Sequence, residues 1–333
     1  MGIPGFSARG ERSPDFSAAA ARARGLTAHL FTRAELEALA EHDVTQLARS
    51  PKLVVPVPAN PSPLELERAV RLTARHHLRT LTRWDGAGPV LAVFYAEQDR
   101  LSLRAMLRGA LATAPAEERL AGLIPTPTLP ERVLAELARQ PTPAAIAAHL
   151  FAIGHPEAGR LAPLVGAAQP DLLALELALM HGAAERARRE ARWGDENLRL
   201  FVAQRIDTAN VEAALLLATA KDVEAGRCFV EGGLSFTLEH FLSVVNAKNP
   251  AARLRELLSH TPLVALLNDP ERAGFVLALS TQQRAARLEP LSSAPVLLFL
   301  LRLEGQERDL RRILQGAALG APAAVVRTEL VTP

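Results

Sequence analysis

Cys228 is the single cysteine of the chain and the first residue to weigh as a nucleophile. A thiol attacks only when a base or a positive charge lowers its pKa. Cys228 precedes Phe229-Val230, an apolar setting in which cysteine behaves as a small buried hydrophobe. His76 and His77 are adjacent in a predicted helix, so they point about 100° apart and cannot chelate together. His149, His155, His181, His240 and His260 are scattered and read as ordinary surface or satisfied core histidines. No Walker-type glycine loop, GxGxxG after a strand, HExxH or paired cysteine ligands occur. Neither a catalytic constellation nor a cofactor or metal is therefore expected. Asp99, Asp207 and Asn210 read as caps, or as buried hydrogen bonds that fix one helix against another. Arg186, Arg188, Arg189 and Arg192 form a solvated face by default. They could equally form a docking patch anchored by Trp193, because Arg and Trp are enriched at interface hot spots. These residues favour an interaction protein over an enzyme.

The elements that position them announce themselves as helices. Ala, Leu, Arg and Glu dominate, and all are strong helix formers. Thr32 with Glu35 makes a capping box flanked by the staple pair Phe31 and Leu36. Ser62 with Glu65 repeats it, with Pro63 at the first helical position, where its missing N–H costs nothing. Thr142-Pro143, Asn249-Pro250 and Asp269-Pro270 follow the same cap-then-proline pattern. Leu36, Leu39 and Leu47, and later Val133, Leu134 and Leu137, fall at helical spacing. The best strand candidate, Lys52 to Pro58, carries two prolines that would remove ladder donors, so it reads as an extended linker. Trp84 to Pro89 and Leu123 to Pro130 read as loops. The fold class is all-α.

A repeat runs through this pattern. Leu103 to Ala110 (LRAMLRGA) and Leu310 to Ala317 (LRRILQGA) share five of eight residues. Val211 to Ala218 (VEAALLLA) is a weaker middle copy. Asp99, Asp207 and Gln306 each stand four residues before a copy. The copies start 108 and 99 residues apart, which divides the 333-residue chain into near-thirds. The expected organisation is a tail at 1–15 and helical units at 16–120, 121–226 and 227–333.

Composition narrows the function classes. The chain is 49% hydrophobic and 22% charged, with 38 basic residues against 36 acidic ones. That is a folded composition. A net charge of +2 is too small for a nucleic-acid footprint. The longest apolar run, Val296 to Leu301, is far below the roughly 20 residues that cross a bilayer. Met1 to Asp15 lacks the apolar core of a secretory signal, which places the chain in the cytosol.

The ordered set of motifs resembles the C subunits of V/A-type rotary ATPases, counterparts of the d subunit of eukaryotic V-ATPases. Phe16 to Leu26 (FSAAAARARGL) followed by Leu30 to Leu39 looks like that family's opening. Phe94 to Gly109, Arg205 to Asn210 (RIDTAN), Phe229 to Leu234 (FVEGGL) and Glu304 to Leu314 (EGQERDLRRIL) follow in the family's order. The sequence departs from the pattern at Leu216-Leu217, where the family has Leu-Arg, at Gln306, where it has an acid, and at Asp309, where it has Asn. Any inter-helix bonds those groups make must differ here. The resemblance implies three similar helical units in a pseudo-threefold funnel. It also implies a non-catalytic central-stalk component that caps the proteolipid ring of the membrane sector and receives the central shaft subunits. The membrane stator is a further implied neighbour, at the cytoplasmic face of a bacterial membrane. An all-helical cytosolic scaffold or adaptor, unrelated to the ATPase, is the alternative that the helix signals alone allow.

Overall fold

A computed structural model describes residues 14–41, 44–58, 60–166, 170–218, 224–267 and 269–332, and among these the regular elements are all helical. Helices α1 (Ser17–Thr27) and α2 (Arg33–Glu41) lead through a 3-10 turn at Val44–Arg49 to α3 (Pro63–Leu81) and the long α4 (Ala87–Leu111). Four short helices follow: α5 (Ala116–Leu120), α6 (Glu131–Ala138), α7 (Pro143–Ala152) and α8 (Ala158–Leu161). A second long pair is α9 (Leu172–Ala191) and α10 (Glu196–Leu217). Then come α11 (Leu238–Val245), α12 (Pro250–Leu258), a third long pair α13 (Pro270–Leu288) and α14 (Ala294–Leu319), and the short α15 (Ala323–Glu329).

The caps read from the sequence are formed. The Ser62 hydroxyl accepts the Glu65 N–H, and the Glu65 carboxylate accepts the Ser62 N–H at 2.8 Å. Thr32 and Glu35 bond reciprocally ahead of α2. Thr142, Asn249 and Asp269 each accept an N–H from the first turn beyond them. Asp171, Asp195 and Thr237 cap α9, α10 and α11 in the same way. Residues 52–58 pair with no strand; the Val54 N–H donates to the Thr73 hydroxyl instead. The loop expected at 84–89 is shorter, because α4 already begins at Ala87. Gly86 sets that start with φ +83°, where a Cβ would lie 2.1 Å from the Asp15 carbonyl.

Packing follows the helix faces. One apolar cluster joins α1, α3, α4, α9, α10, α13 and α14, with Phe94, Leu198, Phe275 and Phe299 inside it. Three further clusters gather around the C-terminal parts of α4, α10 and α14. The C-terminal half of α4 packs with α6, α7 and the start of α9. The C-terminal part of α10 packs with α11, α12 and the 3-10 turn Pro262–Leu267. The C-terminal half of α14 packs with α2, the start of α3 and α15. Each fully buried Leu or Phe contributes about 1.5–3 kcal/mol. The third cluster is built from segments far apart in the chain. The Arg33 guanidinium donates to the carbonyls of Arg327, Leu330 and Thr332, clasping α2 to the stretch after α15.

Gly122 marks the seam between the first and third of these outer clusters. It adopts φ +65°, and the Arg311 guanidinium donates to its carbonyl. A Cβ there would fall 1.5 Å from Arg311 Nη2. Gly122→Ala is expected to cost about 1–2 kcal/mol from left-handed strain alone, plus the displacement of Arg311. An unchanged denaturation midpoint in urea would contradict that account.

Candidate functional site

Three interior polar anchors order the long helices. On α4, Asp99 is fully buried. It accepts the Thr126 hydroxyl at 2.5 Å, the Thr128 hydroxyl at 2.6 Å and the Arg186 guanidinium at 3.0 Å. On α10, Asp207 accepts the N–H groups of Leu234, Ser235 and Phe236 at 2.8–3.2 Å. One turn later Asn210 pairs both ways with the Val230 backbone at 2.8 Å. On α14, the Gln306 side-chain carbonyl accepts the Phe31 N–H at 2.7 Å. Asp309 accepts the N–H groups of Val331 and Thr332, each at 2.8 Å. The departures at Gln306 and Asp309 thus both bond loop N–H groups. An acid at 306 could accept the same N–H but would bury a charge beside Glu307. In every case a helix side chain satisfies a loop that runs across it.

The arginine cluster divides. Arg186 is not part of a solvated face. Its side chain is 13% exposed and reaches both Asp99 and, at 3.0 Å, the Glu157 carboxylate. The reason is helical phase: Arg186 lies on the stripe of α9 that packs against α4, whereas Arg189 and Arg192 lie on the outer surface. Arg188 donates to the Glu231 carbonyl. Trp193 is 71% exposed in the turn before α10.

His155 read as an ordinary surface or satisfied core histidine, and Glu157 carried no signal in the sequence. Both are buried beside Asp99, with His155 Nε2 3.7 Å from its carboxylate. Burial would raise the Asp99 carboxyl, but the nearby His155 ring, the hydroxyls of Thr126 and Thr128 and the Arg186 charge hold it below the ordinary range. Burial raises Glu157 in spite of Arg186. His77, which the sequence marks only as unable to chelate together with His76, is buried. Both ring nitrogens are buried without a hydrogen-bond partner between His29, His76 and Phe299. Burial, then His76, His29 and Arg22, push its pKa down to about 4, so it is neutral at pH 7. Cys228 is buried, and burial raises its thiol pKa, the opposite of what a nucleophile needs.

Between α4, α9, α10 and α14 lies a cavity of about 380 Å³. Its inner wall is apolar, with Phe94, Phe201 and Leu297. Charged groups ring it, and they are mutually paired. Glu97 meets Arg100 at 2.6 Å and Arg205 at 3.9 Å, Glu304 meets Arg308 at 2.8 Å, and Glu176 bridges Arg104 and Arg108. Burial would raise Glu97, but Arg100, Arg205 and Arg308 outweigh it and hold the carboxyl well below its usual range. Leu173 and Leu216 at the rim are exposed, the latter by 73%, while Val202 and Leu297 deeper in are buried. The mouth therefore opens where α10 ends. Among the described residues no group of His, Cys, Asp and Glu is placed to hold a metal. The cavity thus sets paired charges around an apolar wall.

A family profile described as ATP synthase (C/AC39) subunit matches residues 19–329. The chain belongs to that family. The C subunit of the A-type ATP synthase from Haloferax volcanii is 27% identical over 144 residues, which cover 40% of this chain and 41% of that relative. The chain is thus matched to less than half the length of that relative. The family is one of ATP synthase subunits; among the described residues no helix is long and apolar enough to cross a membrane.

Proposed function

We propose that this C/AC39 chain is the non-catalytic rotor cap of a V/A-type ATPase. It is read as three helical units around a pseudo-threefold axis, at 16–120, 121–226 and 227–333. It sits on the proteolipid ring at the cytoplasmic face of the membrane and accepts the central shaft, so that ATP turnover and proton or sodium transport stay coupled. The observation that carries this reading is the cavity: an apolar wall inside a ring of paired charges, open at one end.

The opposite end supports the other half of the proposal. The turns joining α3 to α4, α9 to α10 and α13 to α14 expose Trp84, Trp193, Leu288 and Leu291. Arg83, Arg192 and Arg287 stand beside these side chains and are exposed too. Asp195 ties two of the turns together by accepting the Ser293 N–H at 2.7 Å. Apolar anchors flanked by arginines are the composition of interface hot spots. This end is assigned to the ring, which keeps Arg192 and Trp193 as docking residues and gives Arg186 an interior role. Torque transmission needs stiffness, and closely packed Leu and Ala helices supply it.

The test is recovery of a tagged chain from membranes. Proteolipid ring and shaft subunits should co-purify, and deletion should leave ATP hydrolysis by the soluble head intact while abolishing ion pumping. Recovery of the chain alone would favour a free-standing helical scaffold, and loss of hydrolysis in the isolated head would refute a purely coupling role.

A further inference from the structure

Where α3, α6 and α14 meet the turn at 120–122, the interior holds an unbalanced set of charges. Arg71 reaches the Glu131 carboxylate at 2.6 Å and the Leu120 carbonyl at 3.2 Å. Arg311 holds the Gly122 carbonyl and lies 4.0 Å from Glu67. Glu307, one turn before Arg311 on α14, is buried among them. Three carboxyls thus share two guanidinium groups. One oxygen each of Glu67, Glu131 and Glu307, and the Nε atoms of Arg71 and Arg311, are buried without a hydrogen-bond partner. Glu67, Glu131 and Arg311 keep part of their side chains in solvent, but an ionised Glu307 would be a buried carboxylate with one oxygen unpartnered, which costs far more than burying the neutral acid. A single proton on the set makes it neutral.

We propose that Glu307 is a proton latch, holding the seam between α14, α3 and the 120–122 turn closed when protonated and loosening it when ionised. Burial pushes the Glu307 pKa up to about 8; Glu67 adds to the rise, while Arg311, a hydrogen bond from Gln306 and Arg71 oppose it. Burial likewise draws Arg311 below its usual value. Several charges on α14 and on the elements packed against it are engaged elsewhere, while Arg302 of α14, Arg68 and Arg75 of α3 and Arg284 and Arg287 of α13 stand apart from the cluster. Arg33 meets Glu37, Lys52 meets Glu35, Arg100 meets Glu97, Arg327 meets Glu41, and Arg308 meets Glu304. Arg312 lies 3.8 Å from Asp309, and Arg272 bonds the Thr328 carbonyl. Arg22 of α1 faces His77, which is neutral at pH 7.

The sign follows from the raised folded value. The contribution is fully present below the ordinary glutamate range and is lost as pH rises through about 8. Neutral pH lies inside that window, so a modest alkaline shift loosens the join between the first and third outer clusters. The latch does not depend on the rotor-cap reading, since it concerns the folded chain alone.

Thermal melts of the full chain between pH 6 and 8.5 test it. The wild type should lose about 4 °C more than Glu307→Gln over that range, and amides at 119–124 should lose exchange protection above pH 8 in the wild type only. Equal pH slopes in the two proteins would overturn the proposal. If Glu307→Gln does not fold, Glu67→Gln decides. Removing that like charge should move the wild-type fall to lower pH, and an unmoved fall would likewise overturn it.

Discussion

Asp99→Ala should be among the most destabilising single substitutions in this chain, with a cost of about 3–5 kcal/mol. A helix cap would cost about 0.5–2 kcal/mol, but Asp99 does not cap a helix end. It lies in the middle of α4, where it receives two hydroxyls from the 126–128 loop and the Arg186 guanidinium from α9. Alanine leaves Arg186 in a pocket with Glu157 as its one carboxylate partner and takes the carboxylate acceptor from the buried Thr126 hydroxyl. Asp99→Asn keeps the shape and the acceptor for one hydroxyl while removing the charge, so it should fall between wild type and alanine. Chemical denaturation measures both, and an Asp99→Ala midpoint within error of wild type would remove the central role given to this anchor.

Blocking the cavity should separate assembly from folding. Ala184 lines the wall from α9, and Leu216 stands exposed at the rim. Ala184→Trp fills space that the proposed shaft would occupy, and Leu216→Asp puts a charge on the apolar lip. Each should reduce capture of the shaft subunits at least about tenfold, equivalent to about 1.4 kcal/mol. Leu216→Asp should melt with the wild type, because its side chain buries little surface to lose. Capture at wild-type level by both variants would show that the shaft docks elsewhere.

How much of this was legible in the sequence depends on range. The capping boxes at Thr32 and Ser62 and the proline starts at 143, 250 and 270 were readable, because a cap is a contact over three residues. The register of Asp99, Asp207 and Gln306 also stood out, since the repeat aligned them. Their partners did not. Asp99 bonds Thr126 and Thr128, in a stretch that reads as a plain proline-rich loop, and Arg186, 87 residues away. Periodicity could place Arg186 on a helix, but choosing its inward face required knowing that α9 packs on α4. Glu307 was hidden for a similar reason. Glutamate on a helix beside arginines reads as surface until α3 and the Gly122 turn close over it. His77 is a different case. His77 lacks any hydrogen-bond partner, and no local pattern announces a ring held among other rings.

The clasp of Arg33 on the carbonyls of residues 327, 330 and 332 sets an order of events during synthesis. Its partners lie 294 to 299 positions further along the chain. At about 5–20 residues per second, roughly fifteen seconds to a minute separate their emergence. Through that interval Leu36, Leu66 and Val70 of α2 and α3 lack the α14 and α15 side chains that complete their cluster. The clusters around α4 and α10 draw on shorter spans and can close while translation proceeds. The nascent chain is thus sticky at its earliest helices for longest, which makes that stretch the natural client of a holding chaperone and the region where a stalled ribosome would leave the product most prone to aggregate.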